Sequence, residues 1–216
     1  MRESLKLISM PDDHQAYDHV IIAGPKQKLE SYIELSWNEE ESVLHFDAPL
    51  ETLNNEDKGG ATQTFVYGQR VTLIAIPTLA SRMNSPSRPD ALSAALKKLG
   101  SLEGRCLIIL CPKSIEDRSP LISAVARSYP LFSLKSGPLA DVIELTVCNG
   151  DALEDERREG PNSEEIDHLD ALIKGVQHAA MWVDLPPEQL HVPQMIDYAR
   201  EIAVRSNAEI DIFEGD

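Results

Sequence analysis

Arg-Cys-Leu-Ile-Ile-Leu-Cys, residues 105 to 111, is a continuous apolar run closed by Pro112. A run without polar alternation, bounded by a turn signal, is a strand covered on both faces, the habit of parallel sheets. A second run of this kind, Asp18 to Ala23, ends at Gly24-Pro25, and a third spans Val142 to Cys148. Between them lie helical patterns. Asp90 to Leu99 places Ala91, Leu92, Ala95, Leu96 and Leu99 on one face and stops at Gly100. The segment after Cys111 turns Leu121, Ile122, Val125, Ala126 and Tyr129 inward and closes at Pro130. Strands alternating with helices predict an α/β fold.

The remaining stretches complete the sheet. Leu5 to Ser9 reads as an edge strand. Lys26 to Leu53 divides, with Leu29, Tyr32, Ile33 and Leu35 fitting a helix and Ser42 to Phe46 a short strand. Asn54 to Gly60 is a polar turn. Thr62 to Tyr67 and Arg70 to Ile76 read as two strands joined by Gly68-Gln69, a hairpin that makes the sheet mixed.

From Ser163 to Arg205 the chain reads as helix, proline break, helix. The first helix recurs with Ile166, Leu169, Leu172, Ile173, Val176, Ala179, Ala180 and Val183, and Asn162 with Glu165 forms a capping box at its start. Pro186-Pro187 stops it. The second helix begins near Pro193 and is expected to bury Met195, Ile196, Ala199, Ile202 and Ala203, with a last strand at Glu209 to Phe213. A terminal strand needs partners, so this reads as a chain that stops just inside a second α/β domain. The expected division is 1–162 for an N-terminal α/β domain, 163–186 for a linker helix and 187–216 for the start of the next domain.

The formal net charge is −16 and 42% of the 216 residues are apolar. That charge argues against nucleic acid, which is held by Lys and Arg, and against an anionic membrane surface. No apolar run approaches the roughly eighteen residues of a membrane span, and no signal-peptide pattern opens the chain. Cytoplasmic residence is expected. Cys106, Cys111 and Cys148 form no Cys-x-x-Cys pair, and Cys106 and Cys111 face opposite sides of one strand, so all three read as buried free thiols. Nine carboxylates crowd Asp151 to Asp170 around Gly160-Pro161, a solvated loop rather than a rigid metal scaffold.

Catalytic signatures are missing from the sequence. It holds no phosphate-binding glycine loop, no His-Glu-x-x-His and no Gly-x-Ser-x-Gly. The six histidines do not share metal-ligand spacing; His168 and His178 lie ten apart on one helix. The loop Ala80 to Pro89 leaves the carboxyl end of a strand and enters a helix, where α/β sheets bind ligands. Arg82, Asn84 and Arg88 are the candidate anion or ligand residues there, set against an ordinary structural role in turns and ion pairs.

Three pieces of sequence together resemble the N-terminal, non-catalytic part of the leucyl aminopeptidases, closest to the eukaryotic probable-aminopeptidase branch. They are Leu73-Ile74-Ala75-Ile76-Pro77 with Ser81-Arg82-x-Asn84-x-Pro86, Ala124 to Tyr129 with Phe132-Ser133-x-Lys135, and the tail Val183-Asp184-Leu185-Pro186 with Leu190 and the helix from Pro193. His191-Val192 stand where that family often has a capping Thr. The resemblance implies a macrodomain-like mixed sheet flanked by helices that serves hexamer assembly and access to the active sites. It implies peptide substrates and two divalent ions, zinc or manganese, for the intact enzyme. The family's Asp-Thr-Gly-Gly and Asn-Thr-Asp-Ala-Glu-Gly-Arg strings do not occur here, so no catalytic or metal residue and no cofactor is assigned to this chain. The alternative is a stand-alone module binding a nucleotide or ADP-ribose through Gly24-Pro25 and the Arg82 to Arg88 loop; its glycine-rich phosphate loops are missing. DNA binding, known among bacterial relatives, conflicts with the charge.

Overall fold

The computed structural model describes residues 5–11, 14–37, 40–53, 59–100, 102–131, 142–148, 161–213 and 215. In chain order its elements are β1 (Leu5–Leu7), β2 (His19–Gly24), α1 (Lys26–Ser36), α2 (Glu40–Thr52), β3 (Gly60–Val66), β4 (Gln69–Ala75), α3 (Pro89–Leu99), β5 (Arg105–Leu110), α4 (Arg118–Ser128), β6 (Val142–Val147), α5 (Ser163–Asp184) and α6 (Val192–Ser206). A 3-10 turn, Ile115–Asp117, precedes α4.

The strands form one six-stranded sheet in the order β1-β6-β5-β2-β4-β3. Every neighbouring pair is parallel except β3 with β4. The fold is therefore α/β with a mixed sheet flanked by helices, as the sequence predicts. Alternate residues divide between two cores. Ile21, Ile74, Ile108 and Leu145 face α3, α4 and α5. Val20, Ile22, Leu73, Leu107 and Ile109 face α1 and Phe46 of α2. Cys106 and Cys111 do fall on opposite faces, and all three cysteines are free and buried. The Cys111 thiol lies 3.8 Å from that of Cys148. Burial, then the hydrogen bond to Cys148, pushes its pKa well up.

Three expectations need correction. Ser42 to Phe46 is not a strand but part of α2, a helix with Pro49 inside it. Proline removes the N–H that would bond the carbonyl four residues earlier. That carbonyl, His45, instead accepts the hydroxyl of Thr64 on β3 at 3.1 Å, so the helix survives by borrowing a donor from the sheet. The β3–β4 turn is Tyr67-Gly68, one residue earlier than expected, with φ of 51° and 83°. Positive φ at both central residues is the type I′ turn that matches strand twist. Finally, residues 208–213 are coil rather than a strand; the Ala208 N–H donates to the Ala203 carbonyl at 2.9 Å, but the segment pairs with no strand among the described residues, and an isolated strand has nothing to satisfy its backbone.

α5 begins where the sequence places it. The Asn162 side chain accepts the Glu165 N–H at 2.9 Å and the Glu165 carboxylate accepts the Asn162 N–H at 3.1 Å. Leu169 and Ile173 enter the core, and the Gln177 amide donates to the Tyr129 carbonyl at 2.7 Å. The apolar stripe of α6 is less covered than expected. Ala203 is buried, Ile196 is half-buried, and Met195, Ala199 and Ile202 are exposed.

His19 opens β2, buried against Thr72, with its Nε2 2.7 Å from the hydroxyl. Burial, helped by Arg70, lowers its pKa from 6.5 to about 4. The folded chain takes up this proton less readily than the unfolded chain. Its contribution is complete above about pH 6.5 and is lost as pH falls toward 4, a decline on the order of 3 kcal/mol. Urea titrations across that window should show the decline, and His19→Asn should flatten it.

Candidate functional site

In an open α/β sheet the ligand crevice lies at the carboxyl ends of the strands where the chain reverses its direction of winding. Here that point lies between β2, followed by α1 on one face, and β5, followed by α4 on the other. The two strand ends are in direct contact. The Cys111 N–H donates to the Ala23 carbonyl at 2.8 Å, and a Cβ on Gly24 would collide with the Cys111 carbonyl. The cavity beside this point, lined by Pro25, Pro77, Ser87, Lys113 and Asp117 among others, measures about 20 Å³. That admits a single water, not a nucleotide.

The Arg82 to Arg88 loop reaches this cavity through Pro86 and Ser87, while Arg82, Asn84 and Arg88 are not among the residues that line it. Arg88 sits in the left-handed region with φ of 50°. Its Nη1 donates to the Leu79 carbonyl at 2.8 Å, and its Nε and Nη2 each meet an Asp90 carboxylate oxygen at 3.2 Å. The Arg88 hydrogen bonds hold the Asp90 carboxyl below its usual range. Arg88 is thereby committed to fastening its own loop to the start of α3. Arg82 and Asn84 are exposed, with the Asn84 N–H donating to the Ser81 carbonyl at 3.0 Å. Phe132-Ser133-x-Lys135 lies outside the described residues, as does Asp151 to Gly160 of the acidic stretch.

A larger, open cavity of about 430 Å³ lies between the starts of α4 and α5, with Arg118, Asn162, Glu165 and His168 in its wall. Its electrostatic centre is Arg118, only 5% exposed and paired to Glu165 at 3.0 Å. The Arg118 Nε has no partner among the described residues. This buried arginine was not marked by any spacing in the sequence. The capping box, which was, also supplies its counter-ion. Among the described residues no group of three His, Cys, Asp or Glu is placed to hold a metal. His14 is buried against the Tyr32 hydroxyl at 3.1 Å, and the His191 Nδ1 accepts the Gln194 N–H at 3.3 Å to cap α6. A residue outside the usual Ser, Thr, Asp and Asn set thus makes that cap.

α5 ends at Asp184, with Leu185 extended ahead of Pro186, as proline requires of the residue before it. Trp182 stacks on Tyr198 of α6 at 6.0 Å between ring centres. Val183, Val192, Met195, Val204 and Phe213 are all more than half exposed. Large apolar side chains are thus exposed along the α5–α6 side, as they are at Phe65, Tyr67, Leu79, Met83 and Ile115 elsewhere.

A profile of the M17 aminopeptidase N-terminal domain 2 matches residues 18–138. The chain belongs to the M17 aminopeptidase family. Its structure is similar to the leucine aminopeptidase of Caenorhabditis elegans, with a TM-score of 0.71 at 17% identity over 96% of this chain and 42% of that one. It is also similar to the leucyl aminopeptidase of Leishmania major solved with actinonin, with a TM-score of 0.65 at 21% identity over 94% of this chain and 40% of that one. The leucyl aminopeptidase of Trypanosoma cruzi in its apo form gives a TM-score of 0.65 at 18% identity over 96% and 42%. The chain thus spans about two fifths of the length of these M17 structures. At such identities the likeness shows the fold. No curated protein sequence matches.

The Arg118–Glu165 pair is where the two helix starts depend on each other. Removing Glu165 leaves a buried guanidinium unpaired and α5 uncapped. Glu165→Ala should therefore cost about 2–4 kcal/mol in urea unfolding, while its neighbour Glu164→Ala should stay within about 0.5 kcal/mol.

Proposed function

We propose that this chain is the non-catalytic N-terminal part of a two-metal leucyl aminopeptidase, an enzyme that removes N-terminal amino acids from peptides. The observation carrying this reading is the family match over residues 18–138, taken with a structure that covers two fifths of the whole M17 enzymes it resembles. In this reading residues 1–162 form the assembly and access domain, 163–186 the connecting helix, and 187–216 the start of the catalytic domain. The packing of α5 through Leu169 and Ile173 supports its assignment as a connector anchored on the first domain. The exposed apolar residues of α6 suit a surface that the partner domain covers.

The chemistry belongs to the intact enzyme. Two divalent ions, zinc or manganese, would there polarise the scissile carbonyl and activate water. The described residues of this chain offer no donor set for them, so no catalytic step is routed through its side chains. The whole enzyme is a hexamer acting on peptides in the cytoplasm, without nucleic-acid or membrane partners. The net charge of −16 supports the last point, and no helix of the described residues is long and apolar enough to cross a membrane. Arg82 and Asn84, exposed on the Ala80 to Pro89 loop, are the residues of the proposed anion set whose side chains point outward; Arg88 serves that loop structurally.

The test is direct. The purified chain, supplied with zinc or manganese and a chromogenic leucyl anilide, should show no turnover. Turnover that a chelator abolishes and that persists through further purification would overturn the proposal.

A further inference from the structure

β3 is the outer strand of the sheet, seven residues long, with β4 as its only partner among the described strands. Edge strands are normally blunted by charge, proline, a bulge or shortness. The opposite edge, β1, is three residues long. β3 has none of these protections. From Gly59 to Gln69 the sequence Gly-Gly-Ala-Thr-Gln-Thr-Phe-Val-Tyr-Gly-Gln carries no formal charge, in a chain whose net charge is −16. Most of the surface of a second copy would repel this chain, and this strand would not.

The backbone shows which groups are free. Val66 faces Gln69 across the two-residue turn, so Val66, Thr64, Thr62 and Gly60 exchange hydrogen bonds with β4. Ala61, Gln63 and Phe65 therefore direct their N–H and C=O groups outward. Their side chains are also the exposed ones, Phe65 at 59%. Thr64 lies on the opposite face, held to α2 through His45.

We propose that β3 is a homotypic interface, pairing antiparallel with β3 of a second copy about a two-fold axis at Gln63. The strand is self-complementary in that register. Phe65 of one copy lies over Ala61 of the other, large against small, and the Gln63 amides meet at the axis. On the reverse face Thr62 is opposite Thr64, a favourable cross-strand pair. The opposed Ala61, Gln63 and Phe65 residues exchange both backbone bonds of each hydrogen-bonded pair, and the two sheets become one. This rests on the assembly role proposed above and names the surface through which two copies meet.

The experiment uses the whole chain. Sedimentation equilibrium over a concentration series should show a reversible dimer. Gln63→Pro removes an outward N–H that β4 does not use, and Phe65→Lys replaces the apolar contact with Ala61 of the other copy by a charge that pairing would desolvate. Each should weaken dimerisation at least tenfold with the melting temperature unchanged. Gln63→Cys brings two thiols to the axis within disulfide reach, so oxidised glutathione should convert it to a covalent dimer, whereas Leu79→Cys, on an exposed loop, should not respond. Self-association without cross-linking through Gln63→Cys, and undiminished in Gln63→Pro or Phe65→Lys, would overturn the β3 interface and leave the assembly role standing. A chain that remains monomeric at every concentration would overturn both.

Discussion

A parallel strand buried on both faces can be stable only if helices cover both, and β5 makes this demand on the whole chain. Leu107, Ile108, Ile109 and Leu110 are completely buried, so two separate cores must meet at this strand. α1 and α2 supply one; α3, α4 and α5 supply the other. At about 25 cal/mol per Å² of apolar surface removed from water, neither layer is dispensable. This is why α5, a connector in sequence, is structural in the fold: Leu169 and Ile173 belong to the same core as Ile108 and Leu145.

The polar groups follow from the same demand. At the amino end of the sheet Tyr17, Arg105 and Glu144 close on one another. Arg105 stacks 4.6 Å from the Tyr17 ring centre and pairs with Glu144 at 3.2 Å. Burial and the Glu144 hydrogen bond raise the Tyr17 hydroxyl to about 12. At the carboxyl end, Gly24 and Cys111 leave no room for a side chain. Between β2 and β5, where many α/β proteins bind a ligand, the described residues leave a cavity of only about 20 Å³.

What the sequence made legible follows a physical rule. β5, β2 and β6 stood out because two-sided burial erases polar alternation over a whole strand. α5 stood out because its stripe is long and its cap is a side-chain pattern of fixed spacing. α2 was misread as a strand because its helical character rests on Phe46 and Leu50, one turn apart around Pro49, and because the donor that rescues the His45 carbonyl comes from β3, distant in sequence. The strand expected at Glu209 failed for a related reason: its residues have the composition of a strand, and pairing is a property of neighbours. Of the site residues, Arg82 and Asn84 could be placed on an exposed loop from sequence, but the pairing of Arg88 with Asp90 and the burial of Arg118 arise only from the folded geometry.

The length of α5 has a mechanical consequence. Twenty-two residues of helix make a rod of about 33 Å, held along its middle by Leu169, Ile173 and Gln177, paired at its end through Asp184 with Arg127 of α4 at 3.7 Å, and finishing in a proline elbow. A rod fixed in this way transmits torque. A rotation of whatever is attached beyond Pro186 cannot be absorbed by bending at the clamp without drawing Ile173 out of the core. Freedom of the segment beyond the elbow relative to the sheet is therefore confined to the few residues between Asp184 and His191, and the Trp182–Tyr198 stack bridges even these.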